Sequence, residues 1–279
     1  MPYPTPLAGY QSYKGLPQLA GLCTVEEAAK PGLSVEECVR RLKRFHYCFK
    51  RLHQILTARI TAEPIYELKT GFAHHAYLCA EHVTALRTRI AEMREPPLGL
   101  EDVPHPALEA FFDEILAAPT TEELLVGVYE IALVEFDHTL NYYLIDTNFL
   151  TDAPSSRVLR FAREEIADMI EFGMQCTKQL LDEAARSTQR PWVGVLHACL
   201  KCAGDLVGPA DSNEALPPRM HSAKPNVYDP VPRRLGLVVE ERLRVDALVP
   251  RVGEPLVAPR DGVVDVGLRG VHSRGQCFV

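Results

Sequence analysis

Residues 120–150, TTEELLVGVYEIALVEFDHTLNYYLIDTNFL, decide the fold predicted for this chain. Thr120 and Glu123 have the spacing of a capping box, in which each side chain bonds to the backbone N–H of the other residue. Apolar residues then recur every three or four positions, which is the spacing of one helix face. That face reads Leu124, Val128, Ile131, Glu135, His138, Tyr142, Ile145 and Phe149. The stretch is therefore predicted to be one long helix.

The same reasoning, applied outward from this helix, predicts three more long helices and a short one. A second capping-box pattern, Ser34 to Glu37, begins helix A, and Pro64 is a favourable first-turn residue for helix B. The predicted helices cover residues 34–62 (A), 64–94 (B), 106–117 (short), 120–150 (C) and 152–186 (D). Long helices joined by short or moderate links are typical of an antiparallel four-helix bundle, so the fold class is mostly α.

The proline distribution divides the chain into three predicted regions. Residues 1–33 form an extended N-terminal arm, residues 34–187 form the helical bundle, and residues 188–279 form a proline-rich linker and a β-rich tail. Within the tail, 237–249 and 255–271 are rich in valine and broken by glycine and proline, as short strands are. Residues 253–276 resemble the closing half of a barrel-sandwich hybrid, without the lysine that lipoyl and biotinyl carriers modify. An irregular β-hairpin packed on the bundle is the alternative.

Composition excludes several classes of protein. The chain has 279 residues, with 30 Lys and Arg against 37 Asp and Glu and a net charge of −7, so nucleic acid is not an expected partner. No apolar run approaches the roughly 20 residues of a membrane-spanning helix. The 8 cysteines are scattered, which argues against a disulfide framework, and the N-terminus lacks the pattern of a signal peptide. A cytoplasmic location is expected.

Polar residues interrupt the apolar faces of all four predicted helices. On helix B, His75 and His82 lie on the core face and Glu67 lies near its edge; helix D places Glu165 in the middle of its face. Helix A contributes His53, with His46 at the edge, while its Lys and Arg residues between positions 40 and 51 are spaced as a solvated face. Counting from the two inter-helix links predicts one buried layer, with His46 and Glu67 as outer candidates. The layer consists of His53, His75, His82, Glu135, His138 and Glu165.

A buried layer of this composition predicts a metal site. Carboxylates buried without a partner cost several kcal/mol each, and a divalent metal would compensate them. Imidazole and carboxylate suit Fe, with Mn or Zn as alternatives, in a mononuclear or dinuclear site. The predicted ligands are Glu67, His75, His82, Glu135, His138, Glu165 and His53. The alternative is a His/Glu hydrogen-bond layer that holds no metal.

Four long helices with inward Glu and His resemble the ferritin-like superfamily of dimetal carboxylate proteins. The stretches Tyr66-Glu67-Leu68-Lys69, His74-His75 and Ala80-Glu81-His82 are similar to an uncharacterised bacterial group within it. The resemblance covers about residues 35–187 and implies a ligand pattern of Glu, Glu-x-x-His, Glu, Glu-x-x-His. Glu135 and His138 match one Glu-x-x-His pair and Glu165 matches a single Glu, whereas helix A offers no inward Glu. These departures argue against a standard iron-storage role.

Two functions follow as expectations. The first is a non-haem metal-dependent oxidase or oxygenase, with iron as the expected metal, that acts on a small organic substrate; its reaction class is implied by the ferritin-like resemblance alone. The second is a metal-free binding or scaffold protein whose arm and tail mediate oligomerisation. A metal-independent enzyme that uses the His/Glu cluster for proton transfer is a third possibility. A homo-oligomer without nucleic-acid or membrane partners is expected in each case.

Overall fold

The structure, a computed structural model, describes residues 10–93, 99–208 and 215–221. This described part is mostly helical, as predicted, and contains no strand. The chain divides into two compact units, Met1–Arg234 and Leu235–Val279, and every described residue belongs to the first. The predicted β-rich segments and their likeness to a barrel-sandwich hybrid lie outside the described residues.

The helices follow the predicted order closely. Their bounds are α1 Val25–Ala28, α2 Val35–Ile60, α3 Tyr66–Met93, α4 Pro106–Leu116, α5 Thr121–Leu125, a π-helix Val126–Ala132, α6 Leu133–Asp146, α7 Ala153–Leu180 and α8 Glu183–Cys202. Predicted helices A, B and the short helix correspond to α2, α3 and α4. Predicted helix C corresponds to α5, the π-helix and α6, which follow one another without a break. Within the described ranges, none of the helices combines the length and apolar character needed to cross a bilayer.

The two predicted helix starts are confirmed, but the acidic halves of their capping boxes bond elsewhere. The Ser34 hydroxyl accepts the Glu37 N–H at 3.2 Å, and the Thr120 hydroxyl accepts the Glu123 N–H at the same distance. The Glu37 carboxylate accepts from Arg40 and Arg41. The Glu123 carboxylate lies 3.3 Å from the ring of His221. Each N-cap therefore keeps its own hydrogen bond. Glu37 pairs with arginines of its own helix, whereas Glu123 contacts a residue far along the chain.

Apolar side chains from α2, α3, α6 and α7 form a shared core. The helices α2 and α3 pack along each other as a hairpin, and α7 packs against α3, α6 and the π-helix. Phe136 of α6 contacts two rings of α2, with centroids 4.6 Å from Phe49 and 5.9 Å from Phe45. All three rings are fully buried. Burying side chains of this size supplies the main driving force for folding.

The predicted core face of helix C is correct up to the end of the π-helix and wrong after it. Leu124, Val128 and Ile131 are buried, whereas Tyr142 is 56% exposed and Ile145 is 66% exposed. A π-helix places extra residues in each turn, so the residues after it are rotated relative to a continuous 3.6-residue period. The buried positions after the π-helix are Leu133, Phe136, Leu140, Tyr143 and Leu144. The rotation turns the rest of the predicted stripe toward solvent.

Predicted helix D is two helices, and this corrects the boundary at residue 187. Leu181 has an extended backbone that ends α7, and the Asp182 side chain then caps α8 by accepting the Ala185 N–H at 2.7 Å. The α8 helix runs to Cys202 through Pro191, although the region from 188 was predicted to be a proline-rich linker. Trp192, Leu196 and Cys199 are buried, and α8 packs on α4. Their burial outweighs the cost of one proline in the helix.

The N-terminal arm is not wholly extended, which corrects a second prediction. Residues 10–33 contain two 3-10 turns and the short helix α1. The amide of Asn148 donates to the carbonyls of Ala28 and Lys30, at 2.9 and 2.8 Å. The described part of the arm is therefore fastened to the segment that links α6 to α7.

A close approach between two helices generates a stability prediction. A Cβ added to Gly173 on α7 would lie 2.2 Å from the Cβ of Tyr129 in the π-helix. We expect Gly173→Ala to lower the free energy of unfolding by about 1–3 kcal/mol, because overpacking displaces one helix from the other. Urea unfolding measures the change.

Gly194 on α8 provides the matched control, since a Cβ added there would meet no atom within 4 Å. Gly194→Ala should raise stability by about 0.5–1 kcal/mol through helix propensity. If Gly173→Ala were as stable as the unmodified protein, the close contact between α7 and the π-helix would be wrong.

Candidate functional site

The core face predicted for helix B, with its two histidines, is confirmed on α3. Leu68, Phe72, His75, Cys79, His82, Leu86 and Ile90 are all buried on this helix. The side chains of His75 and His82 contact residues of the π-helix and of α7. They are seven residues apart, about 10 Å along the helix axis, and their ring nitrogens contact different residues. The two histidines therefore belong to two separate polar pairs.

The first pair joins His75 to Tyr129 of the π-helix. His75 Nδ1 lies 2.8 Å from the Tyr129 hydroxyl, and the Phe172 ring packs on the imidazole with centroids 5.0 Å apart. Burial lowers the pKa of His75 to about 4, and nearby His74 acts in the same direction. Burial also raises the pKa of Tyr129 well above its ordinary value. Both partners are therefore neutral near pH 7, so this is a neutral hydrogen bond inside the core.

The second pair joins His82 to Glu165 of α7. His82 Nε2 lies 2.6 Å from Glu165 Oε2, and the Glu165 side chain is 22% exposed. The Phe49 ring covers the imidazole on one side, with centroids 4.7 Å apart, and the Phe161 ring lies 6.2 Å away. Burial lowers the pKa of His82, although Glu165 opposes the shift. Of the seven predicted ligands, these two residues on different helices are brought into contact.

The remaining predicted ligands lie apart from the two pairs. His53 Nδ1 is 2.9 Å from the Ala76 carbonyl oxygen and so joins α2 to α3. Glu67 and His138 are exposed, and Glu135 is half-buried. Burial raises the pKa of Glu135, Asp205 adds to the shift, and His138 opposes it. The predicted single layer is therefore not assembled; His138 was assigned to the core because the π-helix was not anticipated.

His46, predicted at the edge of the layer, is the outlier. Its side chain is 1% exposed, and neither ring nitrogen has a hydrogen-bond partner in the described part of the chain. Burial lowers its pKa, and the charge of Lys50 acts in the same direction. The ring is therefore neutral near pH 7. Its burial costs the free energy of removing a neutral polar group from water without giving it a hydrogen bond.

Sequence reasoning missed Tyr129. It lies one position beyond Val128, which occupied the predicted core face, and both residues are buried in the π-helix. Tyr142, which the predicted core face of helix C included, is exposed. Gly173, a glycine inside a long helix, is a sequence signal of close packing, but only the structure shows that Tyr129 is the residue it packs against.

A search of the described ranges for a metal centre gives a negative result. Nowhere in them do three or more His, Cys, Asp or Glu side chains come together as a group able to hold a metal ion. Comparison of the chain with protein-family models, curated proteins and solved structures finds no match. A function is therefore proposed from the arrangement of side chains in the described residues.

The lowered pKa of His75 predicts a loss of stability in acid. The unfolded chain takes up a proton near the ordinary pKa of 6.5, while the folded chain does not until about pH 4. Between these values the unfolded state binds more protons, so the free energy of unfolding falls as the pH falls. His75 alone should account for up to about 3 kcal/mol of this fall.

In His75→Gln the fall between pH 6.5 and 4 should be smaller, because the titrating group is gone and a polar side chain remains. It should not vanish, since burial also lowers the pKa of His46 and His82. Urea unfolding at several pH values measures it, with the exposed His138→Gln as the control. A His75→Gln profile identical to that of the unmodified protein would contradict the buried, neutral assignment.

Proposed function

We propose that this chain is a metal-free helical binding or scaffold protein, and that α2, α3, α7 and the continuous helix 121–146 form an antiparallel four-helix bundle. The observation that carries the proposal is that three of the predicted histidine ligands contact groups of the protein itself. His75 bonds to a tyrosine, His82 contacts a glutamate, and His53 bonds to a backbone carbonyl. Each of these contacts joins two different elements, as a structural polar contact does.

The physical argument for a metal was the cost of several buried carboxylates without partners. Glu165 has His82 beside it and retains some exposure, Glu135 is half-buried, and Glu67 is exposed. A paired or hydrated carboxylate does not carry the penalty of an isolated buried charge. These three carboxylates therefore do not need a metal ion to offset the cost of burying their charge.

Surface shape supports the binding part of the proposal. Two grooves of about 590 and 540 Å³ include α7 in their lining. One lies near Phe161 and the other beside Glu130, Met174 and Arg186. Their volumes fall in the range of roughly 300–1,000 Å³ that is usual for small-molecule sites.

The metal-dependent oxidase predicted from the sequence is the second candidate. It is favoured by the convergence of His82 Nε2 and Glu165 Oε2, two predicted ligands, within 2.6 Å from two helices. A zinc or iron site needs at least a third protein ligand, as a rule. The described residues bring no third ligating side chain into a group with this pair. They therefore do not fit the dimetal carboxylate centre of the ferritin-like resemblance, and the geometry favours the first candidate.

Metal analysis of the purified full-length protein separates the two candidates. We expect substoichiometric Fe, Mn and Zn, and unfolding by urea that a chelator does not alter, because the histidine contacts are made within the protein. Stoichiometric Fe or Mn that disappears in His82→Leu/Glu165→Leu and persists in Glu135→Ala/His138→Ala would overturn the proposal. The second double variant is the control, since its side chains lie outside the pair.

The His82–Glu165 contact is tested by a double-mutant cycle. Each single change, His82→Leu or Glu165→Leu, should lower the free energy of unfolding by about 1–3 kcal/mol, because it leaves a mostly buried polar partner behind. The double variant should lose less than the sum of the two, since both polar groups are gone. Urea unfolding measures all four proteins; strictly additive losses would mean that the two side chains do not interact.

A further inference from the structure

The outer face of α7 carries a groove lined by three arginines, of which one is paired with a carboxylate. Asp137, Arg157, Arg160, Phe161, Arg163 and Glu164 line it. Arg163 is hydrogen-bonded to α6, which forms one side of the groove. Its Nε and Nη2 donate to the two Asp137 oxygens at 2.7 and 3.0 Å, and its Nη1 donates to Asn141 at 2.9 Å. This fork of hydrogen bonds fixes one side of the groove and neutralises the Asp137 charge.

The other two arginines keep their charge available. Arg157 and Arg160 are exposed, and neither makes an ion pair with any residue in the described ranges. Arg160 makes one long hydrogen bond, 3.4 Å, to the Ser156 carbonyl of its own helix. Being three residues apart, the two guanidinium groups lie on the same side of α7. Together they present planar donors suited to a carboxylate or a phosphate.

An aromatic ring lies beside these two charges. Phe161 is 63% exposed, which is unusual for a side chain of this size, and it follows Arg157 by one helical turn. The Phe161 ring packs edge-on against the His82 imidazole, with the two ring centroids 6.2 Å apart and the ring planes inclined at 67°. A flat surface next to two free cations matches a ligand that joins a planar ring to an anionic group.

We propose that this groove binds a small organic anion that carries a planar aromatic ring, with Arg157 and Arg160 holding the anionic group and Phe161 holding the ring. The anionic group is a carboxylate or a phosphate, since the oxygens of either accept hydrogen bonds from guanidinium groups. This inference rests on the binding part of the proposed function and names its ligand class.

The test uses the full-length protein and two probes, AMP for the phosphate form and salicylate for the carboxylate form. Isothermal titration at low ionic strength should give saturable binding of at least one probe. Arg157→Ala/Arg160→Ala should weaken that binding about tenfold or more, because charge-assisted hydrogen bonds are lost. Phe161→Leu should weaken it about fivefold or more through loss of ring stacking. Adenosine and inorganic phosphate, each with half of the required chemistry, should bind more weakly than AMP.

Arg190→Ala is the matched control, since Arg190 is an exposed arginine on α8 whose carboxylate partner is Glu183. It should leave binding unchanged. The inference is overturned if neither probe saturates the protein, if the Arg157/Arg160 double variant binds as well as the unmodified protein, or if inorganic phosphate binds as well as AMP.

Failure here is distinguishable from failure of the proposed function. A folded, metal-free protein that binds neither probe would overturn the groove inference and leave a scaffold role intact. Stoichiometric metal held by His82 and Glu165 would overturn the proposed function whether or not the probes bind.

Discussion

The π-helix at Val126–Ala132 is the constraint on which the arrangement of polar residues depends. It buries Val128 and Tyr129 together, and this brings the Tyr129 hydroxyl to His75 on α3. It also rotates α6 so that Phe136 and Leu140 enter the core while His138 faces solvent. A regular α-helix over the same residues would exchange these roles. The irregular segment thus decides which polar groups meet inside the protein.

Buried arginines on α2 provide the second set of long-range connections. Arg44 donates to the carbonyls of Ala203, Asp205 and Leu206, beyond the end of α8. Arg51 pairs with Asp113 at 2.6 Å, and Arg59 donates to the Leu116 carbonyl at 2.9 Å. Arg44 and Arg59 donate to carbonyls at or just beyond helix ends, whereas Arg51 pairs with a buried carboxylate of α4. One helix therefore fastens the ends of both α4 and α8.

A buried carboxylate fastens the last described segment in the same manner. Glu114 on α4 is fully buried, and its oxygens accept the backbone N–H groups of Met220 and His221 at 3.1 Å each. Arg219 adds an ion pair to Asp113 at 3.1 Å. The accepting carboxylates and the donating groups are 106 or 107 residues apart in sequence, so local sequence spacing could not have indicated these contacts.

The sequence predicted the features that depend on periodicity and local chemistry. The N-caps Ser34 and Thr120 and the buried face of α3 follow directly from residue type and spacing. Features set by tertiary packing were missed. Arg44, Arg51 and Arg59 are seven or eight residues apart, which places them on one face of α2, yet Arg44 and Arg51 were interpreted as part of a solvated face because spacing says nothing about burial. The break at Leu181 has no proline or glycine to mark it.

Helix α7 connects the interior of the protein with its proposed binding surface. Glu165 reaches inward to His82, and Phe161, one turn earlier, packs on the same imidazole from the side of the groove. The His82 ring therefore contacts both the Glu165 carboxylate and the exposed Phe161 ring. Phe49 packs on the His82 ring from the α2 side. A shift of Phe161 would therefore alter the His82–Glu165 contact before it altered the packing of the aliphatic core. The polar pair is thus placed where packing at the surface and packing in the interior meet.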